Sequence, residues 1–308
     1  MLRAEQAENP NGMNSSSPRV TVFGSLHYDI TVQGPARPRK GETIEGQSWR
    51  PKCGGKGGNQ AVSAARAGAG VAMVGAVGDD DFGDTLLTNL DEKGVDRRFV
   101  RIAVGMGSGM SVAIFDAEGD YGAVIVSGAN RTLCGEDVAA AADLLAGTGL
   151  LILQNEVPEA ANVAAARAVK AAGGKVLLNA APARAVSADL LANVDMLVVN
   201  AIEAELLARV HVVNSLQGAL AAARNLTDLC PAAVVTAGAD GAAFADRHGR
   251  TITVPAEDII AESTHGAGDE FLGALAAALA RGADIEIALR AANHAAAVLV
   301  STPEDQRI

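Results

Sequence analysis

Ser263-Thr264-His265-Gly266-Ala267-Gly268-Asp269 runs directly into Glu270-Phe271-Leu272-Gly273-Ala274-Leu275, so small residues and one carboxylate stand where an apolar helix begins. Glycines let a backbone come close to a ligand. The unpaired N–H groups of a first helical turn, at the positive end of the helix dipole, favour a phosphate or a developing oxyanion. Asp269 in the same turn is placed to accept a proton from a hydroxyl that attacks phosphorus. The same residues also suit a plain glycine-rich helix start with an acidic first turn. A second glycine-rich turn, Cys53-Gly54-Gly55-Lys56-Gly57-Gly58-Asn59-Gln60, opens a helix expected from Ala61 to Ala67. Its backbone and Asn59 suit a hydroxylated ligand. It is not a nucleotide P-loop, because Lys56 is followed by Gly57-Gly58 rather than by Ser or Thr. Gly105, Gly107 and Gly109 likewise fail the G-x-G-x-x-G pattern of a dinucleotide fold.

The elements that must position these turns follow a regular rhythm. Short aliphatic runs at Val20–Phe23, Val71–Val74, Leu150–Leu153, Lys175–Leu178, Met196–Val199 and Ala233–Thr236 alternate with alanine-rich helical segments. This predicts an α/β fold with a parallel sheet covered on both faces. Two segments break the rhythm, 28–52 and 109–127. In the second, Met110 to Phe115 and Tyr121 to Val126 flank Glu118-Gly119 as a hairpin would. They predict a small accessory sheet able to act as a lid. Residues 1–18 are polar, with Ser15-Ser16-Ser17 and Pro18, and read as a disordered tail before one domain over 19–308.

Composition narrows the partners. With 308 residues, 49% hydrophobic, and a formal net charge of -11, the chain supplies one large core but no basic stripe for nucleic acid or an anionic membrane. No long uncharged apolar run suggests a membrane span. Cys53, Cys134 and Cys230 are far apart, odd in number and without metal-ligand spacing, so reduced thiols in a cytoplasm are expected.

Taken in order, Gly24-Ser25 to Asp29, Gly54-Gly55-Lys56-Gly57-Gly58-Asn59-Gln60, Gly78-Asp79-Asp80, Gly128-Ala129-Asn130, Asn179 to Arg184, Asn200 to Glu203, Thr236 to Gly241 and Gly266 to Asp269 resemble the motifs of the ribokinase-like (PfkB) family of carbohydrate kinases. The resemblance runs from Val20 to about Val300. It is strongest to the ribokinases, through Gly-Gly-Lys-Gly-x-Asn-Gln and Ala181-Pro182-Ala183-Arg184. It implies a three-layer αβα fold with a mostly parallel central sheet and a small β-sheet lid. It also implies ATP-dependent transfer of the γ-phosphoryl group to a primary hydroxyl of a sugar or nucleoside.

Carried over residue by residue, Asp269 resembles the family's catalytic base, and the N–H groups of Gly266, Ala267 and Gly268 its anion hole. Asn200 and Glu203 match an Asn-x-x-Glu element that organises Mg²⁺ and phosphates through water, although Asn followed three residues later by Glu also suits a helix cap. Thr236, Gly238 and Gly241 match the nucleotide-side loop, and in isolation read as a β-turn. Asp29, Gly55, Lys56, Asn59 and Glu156 fall at the family's sugar contacts, and His294 on the last alanine-rich helix is a candidate for the edge of the adenine pocket, or a packed helix residue.

Three positions depart from the pattern. His27 stands where ribokinases usually carry Asn, a bulkier group with different donors, so it joins the acceptor contacts and puts ribose itself in question. A core histidine satisfied by a backbone carbonyl is the other reading. Ser263 replaces the Asp of monovalent-cation-activated relatives, which predicts weak or absent potassium activation. Ala201 replaces a commonly acidic neighbour of Asn200. The resemblance thus implies a cytoplasmic, homodimeric ATP:pentose kinase. A nucleoside kinase, with His27 and Tyr28 against a base, and a sugar-binding protein with weak turnover are the alternatives.

Overall fold

The computed structural model describes residues 19–118, 120–208, 214–303, 306 and 307; the tail expected over 1–18 lies outside them. The first half of the chain forms strands β1 (Arg19–Phe23), β2 (His27–Gln33) and β3 (Ser48–Gly54), helix α1 (Lys56–Arg66), β4 (Gly70–Gly78), α2 (Asp81–Glu92), β5 (Asp96–Ala103), β6 (Gly109–Phe115) and β7 (Tyr121–Val126). Helices α3 (Gly135–Ala140) and α4 (Ala142–Ala146) lead to β8 (Thr148–Gln154), α5 (Glu159–Ala171), β9 (Lys175–Asn179), α6 (Ala188–Leu191) and β10 (Met196–Asn200). The remainder comprises α7 (Ala201–Ala208), α8 (Leu216–Leu226), β11 (Ala232–Thr236), β12 (Ala242–Asp246), β13 (Thr251–Val254), α9 (Ala267–Ala280) and α10 (Ile285–Ser301).

All six aliphatic runs become neighbours in one nine-stranded sheet ordered β13-β12-β11-β10-β9-β8-β1-β4-β5. Pairing is parallel from β11 to β5 and antiparallel through β12 and β13. Strand residues alternate between two cores. Val20 and Val22 pack with α1, α2, α9 and α10, through residues such as Leu86, Leu272, Leu275 and Leu289. Phe23 and Val235 pack on the opposite face with Leu144, Ala165, Leu190 and Ala222. These are the three layers the resemblance implies. Truncating a side chain such as Leu275, fully buried, is expected to cost about 2–5 kcal/mol.

Alanine and glycine in the helices serve close approach. A Cβ on Gly273 of α9 would lie 2.4 Å from Ser63 of α1, and the Ser63 hydroxyl donates to the Glu270 carbonyl at 2.9 Å. The two glycine-rich helix starts are thereby fastened to each other. α1 begins at Lys56 rather than at Ala61: Gly57 and Gly58, expected to be turn, form its first turn, and Gly58 N–H donates to Ser25 O at 2.9 Å.

Residues 27–54 and 109–126 build the separate four-stranded sheet, ordered β3-β2-β6-β7. β6 and β7 form the antiparallel hairpin around Glu118, while β2 and β6 run parallel with Asp29 opposite Ser111. No helix among the described residues is long and apolar enough to cross a membrane.

Candidate active site

Asp269 is the third residue of α9, and Gly266 is its N-cap, with φ 81° and no side chain capping the turn. That left-handed conformation favours glycine. The N–H groups of Gly266 and Gly268 find no acceptor among the described residues, whereas Ala267 N–H turns back to Thr264 O at 3.3 Å. Two of the three expected donors are therefore open and the third is engaged locally.

The Asp269 carboxylate is buried. Its Oδ2 accepts from Asn59 Nδ2 at 2.9 Å and its Oδ1 from Gln60 Nε2 at 2.8 Å. Gln60 Nε2 also donates to Asn179 Oδ1 at 3.1 Å, and Asn179 Nδ2 to Val198 O at 3.0 Å. A relay of amides thus ties the carboxylate to the carboxyl ends of β9 and β10. Burial pushes the Asp269 pKa above its ordinary value, against the opposing effects of Lys56, Asn59 and Gln60, and Glu156 adds to the rise. The result is a stronger base held in one orientation.

Asp269 and Gly266 line two cavities. One, of about 160 Å³, is also walled by Lys56, Asn200, Glu203, Thr236 and Gly268. The other, of about 230 Å³, is walled by Leu26, Gly54, Asn59, His265 and Arg307. In the smaller, Asn200 and Glu203 cap α7 reciprocally. Asn200 N donates to Glu203 Oε2 at 2.8 Å, its Nδ2 donates to Oε1 at 3.0 Å, and Glu203 N donates to Asn200 Oδ1 at 2.9 Å. The helix-cap reading and the cavity-wall reading hold together. Each Glu203 oxygen keeps a lone pair free, which fits the water shell of a hard cation better than direct ligation. Burial raises the Glu203 pKa, opposed by the Asn200 bonds and Lys56.

On the acceptor side, Glu156 gathers the start of α1. Its Oε2 accepts from Ser25 Oγ at 2.5 Å and from Lys56 N at 2.9 Å, with His27 Nδ1 at 3.8 Å. Gly55 caps that helix, and Asn59 reaches Asp269 from its next turn. Asp29 lies against Gly54, and its Oδ1 accepts from Ser111 Oγ at 2.5 Å. His27 and Asp29 alternate onto one face of β2, and the buried His27 Nε2 has no partner among the described residues.

Thr236 ends β11 on the wall of the smaller cavity, and Gly238 (φ 54°) and Gly241 (φ 114°) form the turn after it. Neither glycine lines the cavities. His294 stands outside both, exposed on α10, with Nδ1 2.9 Å from Glu257 Oε1. Tyr28, the stacking surface of the nucleoside alternative, is already stacked on Phe82 with centroids 4.2 Å apart. The sequence reading assigned no role to Gln60, Asn179, Ser25, Ser111 or Arg307. The first three lie within the motifs it marked; Ser111 and Arg307 carry no local signal.

A buried carboxylate, open N–H groups and a lysine thus meet at one cavity at the strand ends of an α/β sheet, an arrangement that suits phosphoryl transfer to an alcohol group. The model of the pfkB family carbohydrate kinases matches residues 17–307, and the chain belongs to that family. It is 35% identical over 282 residues to the ribokinase of Bacillus subtilis, covering 91% of this chain and 92% of that protein. It is 35% identical over 275 residues to the deoxyribokinase of Salmonella typhi, covering 89% of each. The structure of Arabidopsis thaliana ribokinase complexed with ribose and ATP superposes with a TM-score of 0.87 at 30% identity, covering 93% of each chain.

Proposed function

We propose that the protein transfers the γ-phosphoryl group of ATP to a hydroxyl of a ribose-type pentose, with Asp269 as general base. The observation that carries this reading is the buried Asp269 carboxylate, oriented by Asn59 and Gln60 beside the open N–H groups of Gly266 and Gly268. Asp269 takes the proton of the attacking hydroxyl through a lone pair its amide partners leave free. The N–H groups and Lys56 stabilise charge on the transferred oxygens, and alignment supplies most of the remaining rate. Asp29, Lys56, Asn59 and Glu156 hold the acceptor, since carboxylates accept from vicinal hydroxyls while amides and the ammonium donate to them. Bound to the phosphates, Mg²⁺ would neutralise charge, with Asn200 and Glu203 ordering its waters.

A 2-deoxypentose is the second acceptor to test, favoured by the deoxyribokinase relative. The four-stranded sheet is read as a lid over the acceptor. Its exposed Trp49, Val124, Ile125 and Val126 support a homodimer, to be checked by light scattering. A cytoplasmic location and weak potassium activation belong to the same reading. The deciding experiment measures phosphorylated product from Mg-ATP with ribose, 2-deoxyribose, hexoses and nucleosides, for the wild type and Asp269→Asn. The expected result is pentose turnover that falls about 10²–10⁴-fold in the variant. Turnover of nucleosides alone, or an active variant, would overturn the reading.

A further inference from the structure

Arg307 grips the segment that leads into the phosphate-facing turn. Its Nη2 donates to Ser263 O at 2.7 Å, Nη1 to His265 O at 3.0 Å and Nε to Thr302 O at 2.9 Å. Three carbonyls from two segments converge on one planar fork, a donor geometry that lysine cannot offer. The end of α10 already meets the same segment, because Val300 O accepts from Glu262 N at 2.8 Å and Ser263 N at 3.3 Å. Arg307 completes that clamp.

The consequence lies in a single peptide plane. The His265 carbonyl and the Gly266 N–H belong to one planar trans unit, so they point in opposite directions. Holding the carbonyl on Arg307 therefore sets the direction of the Gly266 N–H, which has no acceptor among the described residues and borders Asp269 on the cavity wall. Gly266 cannot hold that plane alone, since no side chain caps the turn and glycine is the most permissive of residues. A cation bonded to the carbonyl also polarises the peptide and strengthens its N–H as a donor.

We propose that Arg307 is a positioning residue for phosphoryl transfer, aiming the Gly266 N–H at the transferred group by holding the His265 carbonyl. This rests on the reading of the Gly266–Gly268 turn as an anion hole. The test compares Arg307→Ala and Arg307→Lys with wild type in kcat, KM and melting temperature, with and without methylguanidinium. Arg307→Ala is expected to lose about 10- to 100-fold in kcat, part of what one oxyanion donor is worth, with acceptor KM moving less than about threefold. Methylguanidinium should restore a measurable part of kcat in the Ala variant and none in the wild type, and Lys should not substitute for Arg. A folded Ala variant with kcat within about twofold of wild type would overturn the proposal, as would a loss that methylguanidinium leaves untouched. Should the Ala variant not fold, Arg307→Lys carries the same kcat criterion. Asp269→Asn is assayed alongside: if it stays fully active the anion-hole reading itself fails, whereas an inactive Asp269→Asn beside an active Arg307→Ala removes only the role of Arg307.

Discussion

Two helices begin on the wall of the same cavity, and their first turns are finished in opposite ways. At α7, Asn200 and Glu203 satisfy each other, so N–H groups that a helix start leaves unpaired are consumed within the turn. At α9 the N-cap is a glycine with no side chain to offer, and the N–H groups of Gly266 and Gly268 remain open. Position near the cavity does not by itself make an anion site; the cap chemistry decides. On the proposed function, α7 would present a fixed carboxylate to a cation's waters, and α9 would present donors and a base to the transferred phosphoryl group.

The contrast breaks most sharply at Gly268. A Cβ there meets nothing within 4 Å, and alanine exceeds glycine by about 0.8–1 kcal/mol in a helix interior and by less in a first turn, so Gly268→Ala should melt slightly higher. Its methyl would occupy space at the cavity wall where phosphate oxygens must approach the N–H groups, and kcat/KM for ATP should fall about tenfold or more. Opposite signs for stability and activity mark an open turn. A variant that gains stability and keeps its activity would mean that α9 is merely a helix start.

Next in size is the effect on the proposed magnesium dependence. Glu203→Gln keeps an oxygen to accept from Asn200 N, so that part of the cap survives, while its amide NH₂ loses the bond from Asn200 Nδ2 and the charge is removed. The apparent KM for Mg²⁺ should rise about tenfold, within the range for residues that order a metal's waters, and melting should move little, since relief of a buried charge is set against the lost Nδ2 bond. An unchanged Mg²⁺ dependence would reduce Glu203 to a cap and nothing more.

The pH profile sharpens the α9 side. Burial raises the Asp269 pKa above 3.8, and a base must be ionised, so kcat/KM should fall with acid through a limb above that value. Lys56→Met removes the charge that opposes the rise and should move the limb to higher pH. The stability sign is the reverse of the usual carboxylate case. A group whose folded pKa is raised binds its proton more readily when folded, so its penalty is present above the folded pKa and is relieved as pH falls towards the unfolded value. Asp269→Asn should consequently be more stable at neutral pH while inactive, and calorimetry alongside the assay checks both.

The reach of the sequence can be judged from the same residues. Aliphatic runs such as Leu150–Leu153 announce strands because both faces of a parallel sheet are buried, and glycine next to Asp269 or Lys56 announces a close approach. β5 was not legible because Asp96, Arg97, Arg98 and Arg101 give an edge strand little apolar character, and β12 because Ala242–Asp246 is alanine-rich like the helices. The start of α1 was misplaced because Gly57 and Gly58 carry a turn signal locally, while packing against Ser25 makes them helical. Gln60 on Asp269 and Ser25 on Glu156 join residues 209 and 131 positions apart, a juxtaposition that only the assembled sheet fixes.

The smallest expected effect falls on Asn200, and it separates the two helix starts in another way. Asn200→Ala removes the side-chain acceptor for Glu203 N and the donor to Glu203 Oε1, at a cost of about 1 kcal/mol typical of a lost N-cap. α7 packs on α8 and β10, with Ala204 buried in the core, so it should stay helical, and the loss should show as a small drop in melting temperature. Glu203, buried and no longer held by the Asn200 amide, would lose one of the bonds that favour its ionised form, and its pKa should climb further. Mg²⁺-dependent activity should then weaken at the acid end of the profile and persist at high pH. Equal loss at every pH would place Asn200 itself against the phosphates, and the closed turn of α7 would have to be counted as a second ligand-bearing helix start.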